Sequence, residues 1–250
     1  IRPIAVGYVW RRLAAKVACS HVRETAAALL SPRQLGFGVS GGAEASVHAA
    51  RKYLEHMEAG KIFLKVDFTN AFNTLHRDAI MEAVAKYFPE IMPFTLSTIG
   101  GATDLQFGMY TLLSAEGAQQ GDPLGPLYFC LTFKEILESI KSDLTLGYLD
   151  DVTIGGKAAT VAEDFLMLES AARKIGLEIN RSKCEVVGHT EASRSLFAAR
   201  GIMLPETTAS CVDLLGAPMS VGDHLDSILE GKRQELQRLT ERLVFMPSHD

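Results

Sequence analysis

Three aspartates in two short apolar settings could carry chemistry in this sequence. Asp150 and Asp151 stand side by side in 146-LGYLDDVTIGG-156, between two β-prone runs. Adjacent like charges repel, and an ordinary hairpin tip would use Asn-Gly or Asp-Gly instead. Asp67 lies at the end of a second apolar run, 60-GKIFLKVDF-68. If the two runs are neighbouring strands, the carboxylates meet at one edge of a sheet, a costly arrangement unless a cation offsets the repulsion. Carboxylate oxygens are the ligands Mg²⁺ takes, with water and substrate phosphates completing its octahedron. Two such ions, roughly 3.5–4 Å apart, activate a 3′-hydroxyl and stabilise a leaving pyrophosphate in an in-line displacement. Singly, each feature is weak, because a strand ending in Asp is commonplace and Asp-Asp at a turn is more often a solvated tip. The order of the surrounding elements has to decide.

Those elements alternate between the two hydrophobic periods. Helical spacing covers 4–30, with Val6, Trp10, Leu13 and Val17 on one face and Arg11, Arg12 and Lys16 on another. The glycine-rich stretch 36-GFGVSGG-42 interrupts it, and a second helix is expected over 43–57. The run 60–68 predicts a buried strand, 76–87 a helix ended by Pro89, and 95–114 a looser section with a strand-like piece at 109–113. At 121-GDPLGPLYFCLTFKEILESI-140 a helix start is expected, with Asp122 as cap and Pro123 at the first helical position. A hairpin around Asp150-Asp151, a helix over 161–175, a strand at 183–188, a turn-rich 213–220 and a last amphipathic helix over 225–243 follow. The mixture predicts an α+β fold.

At 250 residues the chain has ample length for a packed core. No apolar run reaches the roughly 20 residues of a membrane helix, and no signal peptide is evident. An intracellular location, nucleus or cytoplasm, is therefore expected. The chain opens on Ile1 instead of Met, which suggests a piece of a longer protein. Cys19, Cys130, Cys184 and Cys211 are far apart, the spacing of buried thiols instead of zinc ligands or disulfides. The net charge of −5 is divided unevenly: +6 over 1–65, −10 over 66–170 and −1 over 171–250. A basic front beside an acidic middle suits a polyanion-binding surface next to a metal centre.

Seven segments in order settle the context: RPI (2–4), QLGFG (34–38), KVDFTNAFN (65–73), EGAQQGDPLGPLYF (116–129), GYLDD (147–151), GLEINRSKCE (176–185) and LLGAP (214–218). Together they resemble a reverse transcriptase domain of the kind found in non-LTR retrotransposons. The resemblance implies a right-hand polymerase, fingers and palm, with a mostly antiparallel palm sheet flanked by helices. Its expected divisions are 1–60 partial fingers, 61–75 palm, 76–118 fingers again and 119–222 palm. Residues 223–250 are expected to be an amphipathic helix leading towards a thumb outside the sequence.

The activity implied is RNA-directed DNA polymerisation: nucleotidyl transfer of dNTPs to a DNA primer on an RNA template, with two Mg²⁺ ions, which Mn²⁺ can replace. By the same resemblance Asp67 and Asp150 fall on the metal positions, Asp151 on the companion acid, and the Phe68 backbone carbonyl on a further ligand. Phe72 matches the bulky residue beneath the sugar of the incoming nucleotide, where a ring would exclude a 2′-hydroxyl; the alternative is a core aromatic. Gln120 and Gly121 match the loop that packs on the new base pair, Arg2 the arginine that holds the triphosphate, and Lys183 a lysine that protonates pyrophosphate. The 214–218 turn matches the primer grip. Lys65 and the 11-RRLAAK-16 face are candidates to track a nucleic-acid backbone, or simply solvated surface.

Leu149 departs from the Ala that many non-LTR relatives carry at that position. Upstream fingers elements, a full thumb and any endonuclease lie outside the sequence. Two other functions fit less well. An RNA-directed RNA polymerase would place a polar residue at Phe72. An inactive or domesticated domain that only binds RNA or protein would not be expected to keep all three acids.

Overall fold

A computed structural model of the chain describes residues 7–119, 121–219 and 223–243. Its centre is a four-stranded antiparallel sheet in the order β4–β5–β1–β6, formed by Leu144–Tyr148, Asp151–Lys157, Lys61–Val66 and Glu185–Val187. The alternation of β1 explains why both faces are covered. Ile62, Leu64 and Val66 join Val152, Ile154 and Val186 in the main core, beneath helices α6 (Gly125–Ser139) and α7 (Ala158–Lys174). Phe63 faces the other way, into a smaller core with Val47 and Ala50 of α2 (Gly42–Glu55) and with Leu214 and Met219. In β5 every position from Val152 to Gly156 is buried. Gly155 is needed there, because a Cβ would stand 2.7 Å from the Tyr53 ring of α2.

Long helix α1 (Val9–Leu30) packs on α6 and buries only Ala15, Val22, Ala26 and Leu30. After β1 come the short α3 (Ala71–Thr74) and α4 (Arg77–Tyr87), which also packs on α6. The section expected to be loose contains a helix, α5 (Met92–Ile99), and a hairpin of β2 (Thr103–Phe107) and β3 (Tyr110–Ser114). Its Ser/Thr content disguises α5. Thr95 Oγ1 donates to the Ile91 carbonyl at 3.0 Å and Thr98 Oγ1 to Phe94 at 3.0 Å, so hydroxyls that usually compete with a helix here bond along it. Thr95 also meets the buried Tyr128 hydroxyl at 3.0 Å, fixing α5 to α6.

Helix α6 begins later than its sequence predicts. Asp122 Oδ1 accepts the Leu124 N–H at 2.9 Å and Oδ2 pairs with Arg11 of α1 at 3.0 Å. The carboxylate thus closes a turn ahead of the helix, and Pro126, not Pro123, occupies the first turn. Helix α8 (Glu191–Ala199) starts at a capping box between Thr190 and Ser193. The segment 213–218 is a tight hairpin of β7 (Asp213–Leu214) and β8 (Ala217–Pro218), and α9 (Asp223–Leu243) follows. Leu229, Leu236, Leu239 and Leu243 of α9 are exposed. All four cysteines are free, and Cys211 is exposed on a surface turn, unlike the buried position expected for it.

Candidate active site

The sheet register brings the acids to one end. Val66 pairs with Val152, so the next residue along β1, Asp67, and the next along β5, Asp151, lie at the same sheet edge. Tyr148 pairs with Asp151 and leaves Leu149 and Asp150 as a two-residue turn. Neighbouring strands are about 4.8 Å apart, so residues far apart in sequence share one edge. All three acids are partly exposed. Their charges are felt by two thiols. Burial, and then the Asp150 charge, raise the pKa of Cys130 on α6. Cys184 is pushed up to about 11, chiefly by burial; a hydrogen bond with the Asp67 backbone opposes the rise and the Asp67 charge adds to it.

The chain past Asp67 is held as an extended strand. Phe68 bridges Ile179, with the Asn180 N–H donating to the Asp67 carbonyl at 2.8 Å and the Thr69 N–H to Glu178 at 2.8 Å. Antiparallel backbone bonds alternate in direction, so this bridge engages the carbonyl of Asp67 and turns that of Phe68 the other way. Lys183 is exposed on the turn that follows Asn180. Lys65, a candidate to track nucleic acid or simply solvated surface, pairs with Glu185 across the sheet at 3.3 Å.

Phe72, on α3, is half-buried. One face stacks on Phe129 at 5.1 Å between centroids, and Phe129 stacks on Phe133. The Phe72 side chain also lines a cavity of about 380 Å³ with Gln119, Gly121, Asp122, Pro123 and Gly125. Both readings of Phe72 therefore find an observation: it rests on the core and it faces an open space. The loop is drawn onto α3 by the Ala118 N–H donating to the Phe72 carbonyl at 2.8 Å. Gly117 makes this approach possible, since a Cβ there would lie 2.5 Å from the carbonyls of Phe72 and Asn73. Arg2 and Gln120 lie outside the described residues.

Two structural supports of this region were not singled out in the sequence. Buried Arg77 donates to the carbonyls of Gly101, Glu116 and Gly117 and to Ser114 Oγ, tying the β2–β3 hairpin to the loop before α6. Gln34, 1% exposed, bonds the turn that carries Asp150. For Gln34 the signal was present in the QLGFG segment. For Arg77 there was none, as a lone arginine at a helix start usually faces water.

Residues 1–219 match the family described as Reverse transcriptase (RNA-dependent DNA polymerase). The chain belongs to that family. It is 28% identical over its whole length to the retrotransposable element SLACS 132 kDa protein of Trypanosoma brucei gambiense, of which it spans 21%. A retrovirus-related Pol polyprotein from a type-2 retrotransposable element of Drosophila melanogaster is 25% identical over 63% of the chain, which spans 17% of that protein. This reverse transcriptase chain is thus similar to those of non-LTR retrotransposons and covers about a fifth of the length of the relatives it matches. Among solved structures, apo telomerase from Candida tropicalis superposes with a TM-score of 0.51 at 14% identity, over 75% of this chain and 38% of that one. That likeness is one of fold, and the fold is the fingers and palm of a right-hand polymerase.

Reverse transcriptases use divalent metal ions. Among the described residues, no three carboxylate, imidazole or thiol groups converge closely enough to cage an ion by themselves. Mg²⁺ is commonly held by one or two carboxylates plus substrate phosphates and water, not by an all-protein cage. Asp67, Asp150 and the Phe68 carbonyl are a hard-oxygen set at one sheet edge, and such a partial set fits Mg²⁺ arriving with a nucleotide. Among the described residues no helix is long and apolar enough to cross a membrane.

Proposed function

We propose that this chain is the polymerase part of an RNA-directed DNA polymerase, adding dNTPs to a DNA primer on an RNA template. The observation that carries the reading is the pairing of β1 with β5, which sets Asp67 beside the Asp150-Asp151 turn. In this reading β1, the sheet and α6–α7 are palm. The segments 1–60 and 76–118 are fingers, and α9 leads towards a thumb. When bound, two Mg²⁺ ions supply activation of the primer hydroxyl and charge stabilisation of the leaving pyrophosphate. Asp67 and Asp150 would hold them, with the Phe68 carbonyl, and Asp151 would add negative potential alongside.

Phe72 closes the space a ribose 2′-hydroxyl would need, and the loop carrying Gln120 and Gly121 lies along the new base pair. Arg2 grips the triphosphate through the planar fork that suits phosphate. Lys183 gives its proton to the pyrophosphate oxygen. Support for a nucleic-acid partner comes from the fate of the basic front. Arg11, Lys61 and Lys65 pair with acids, while Arg33 and Arg51 bond backbone carbonyls. Arg12, Lys16 and Arg23 are exposed on α1 and make no ion pair among the described residues. At spacings of four and eleven residues they share one helix face, a short cationic rail beside the loop that Arg11 anchors.

Primer extension on an RNA template tests the reading. Asp67→Asn and Asp150→Asn are each expected to abolish Mg²⁺-dependent dNTP incorporation, at least 10³-fold, with far-UV circular dichroism unchanged. Undiminished extension by both variants would remove the two-metal assignment and favour a domain that only binds.

A further inference from the structure

The turn that carries Asp150 is strained. Leu149 has a φ of 56°, a region glycine enters freely and a leucine does not. Only the first of the two turn residues has positive φ, the pattern of a type II′ turn, which favours glycine there. Such a conformation persists only when its surroundings over-determine it. Leu149 packs against the main core, and the Gln34 side chain bonds its backbone directly. Gln34 Oε1 accepts the Leu149 N–H at 2.9 Å, and Gln34 Nε2 donates to the Leu149 carbonyl at 3.2 Å. Both backbone groups of the strained residue are thereby bonded by a carboxamide 115 positions away in sequence.

The carboxamide is itself locked. Its Oε1 also accepts the Gly36 N–H at 3.0 Å, so three of its hydrogen-bonding positions are used and its orientation is defined. The segment around it is pinned to β4: Gly147 N–H donates to the Arg33 carbonyl at 2.6 Å, and Leu35 N–H to the Gly147 carbonyl at 2.8 Å. Two glycines make room for this contact. A Cβ on Gly36 would lie 2.4 Å from the Leu149 nitrogen, and one on Gly147 would lie 2.7 Å from Leu137 Cδ1 and 3.0 Å from Gln34 Nε2. Arg33, next in sequence, bonds the carbonyls of Leu137 and Ile140 at the end of α6. The segment is thus anchored on two sides, with Gln34 aimed at Leu149.

We propose that Gln34 is a positioning residue for the Asp150 turn: its carboxamide fixes the left-handed backbone of Leu149 and so sets where the Asp150 carboxylate stands. The catalytic consequence rests on the reading of Asp150 as a metal ligand, whereas the structural part stands without it. An apolar isostere, Gln34→Met, would keep the volume and lose every one of these bonds. The turn should then relax towards ordinary backbone angles and carry Asp150 with it. Leu149→Gly removes the strain at its source, because glycine holds the same φ unaided. The effect of Gln34→Met should therefore shrink when Leu149→Gly is present.

The test uses the 250-residue chain without substrate or metal. Amide hydrogen exchange over 147–152 is expected to quicken at least tenfold in Gln34→Met, while 62–66 in β1 is little changed. In Gln34→Met/Leu149→Gly the melting temperature should recover relative to Gln34→Met. In primer extension, Gln34→Met should lower kcat about tenfold or more with little change in the KM for dNTP, and this loss should be smaller in the Leu149→Gly background. Unchanged exchange over 147–152 overturns the proposal. Equal losses from Gln34→Met with and without Leu149→Gly also overturn it, including the case in which both forms fail to fold. If exchange responds as expected but Asp150→Asn retains full activity, the metal reading falls and the positioning of the turn stands.

Discussion

Phe72 is the side chain at which core packing and the proposed sugar selection meet. Its ring stacks on Phe129, and in the proposed reading the cavity beside it receives the sugar of the nucleotide. Phe72→Val keeps a branched apolar side chain and withdraws the ring edge. The dNTP-over-rNTP ratio in kcat/KM is expected to fall about tenfold or more. A loss for both nucleotides at constant ratio would assign Phe72 to the core alone. The thiols make a second residue-scale case. Burial pushes Cys19 and Cys184 from 9.0 to about 11, so between those values the folded chain holds more protons than the unfolded one. By linkage, the stability tied to these thiols is fully present below about pH 9 and declines as pH rises towards 11. Urea titrations at pH 8 and pH 10.5 should show it, with a smaller drop in Cys184→Ala.

At the scale of elements, the position of the β4–β5 hairpin depends on how α6 hands the chain to β4. Asp164, buried on α7, accepts the N–H groups of Lys141 and Ser142, the latter at 2.7 Å, together with the Ser142 hydroxyl. One carboxylate thus holds the corner between α6 and β4 and fixes where β4 starts. Hydrogen bonds to a charged group contribute about 1.5–3 kcal/mol each, and orphaned buried N–H groups cost more. Asp164→Ala is expected to destabilise the fold by about 3 kcal/mol in urea unfolding. An effect under about 0.5 kcal/mol would mean that water replaces the carboxylate there.

At the scale of the molecule, folding redistributes the charge that the sequence displays. Arg11, Lys61 and Lys65 from the basic front meet acids later in the chain, while Arg12, Lys16 and Arg23 of α1 stay exposed. Phosphate contacts make affinity fall with salt, by roughly 0.7–0.9 in log–log slope per contact. Replacing all three by Gln is expected to flatten the slope of primer–template binding by about 2, read by fluorescence anisotropy between 50 and 200 mM salt. An unchanged slope would place the polyanion elsewhere.

Much of this was legible in the sequence, for a local reason. Period-2 and period-3.6 patterns reflect the faces of single elements, so β1, the 146–156 hairpin, α6 and α9 could be read within a few residues. The ordered segments KVDFTNAFN, QGDPLGP and GYLDD disclosed the family, because their residue types and order are specific to it. Tertiary structure decided what depends on distant partners. The start of α6 moved because Asp122 meets Arg11. Lys65, a candidate for phosphate or for solvated surface, has Glu185 across from it, and Gln34 of the QLGFG segment meets Leu149. These partners are separated by more than a hundred residues of chain. Hydrophobic period carries no record of such pairings, which are set by sheet register and helix packing.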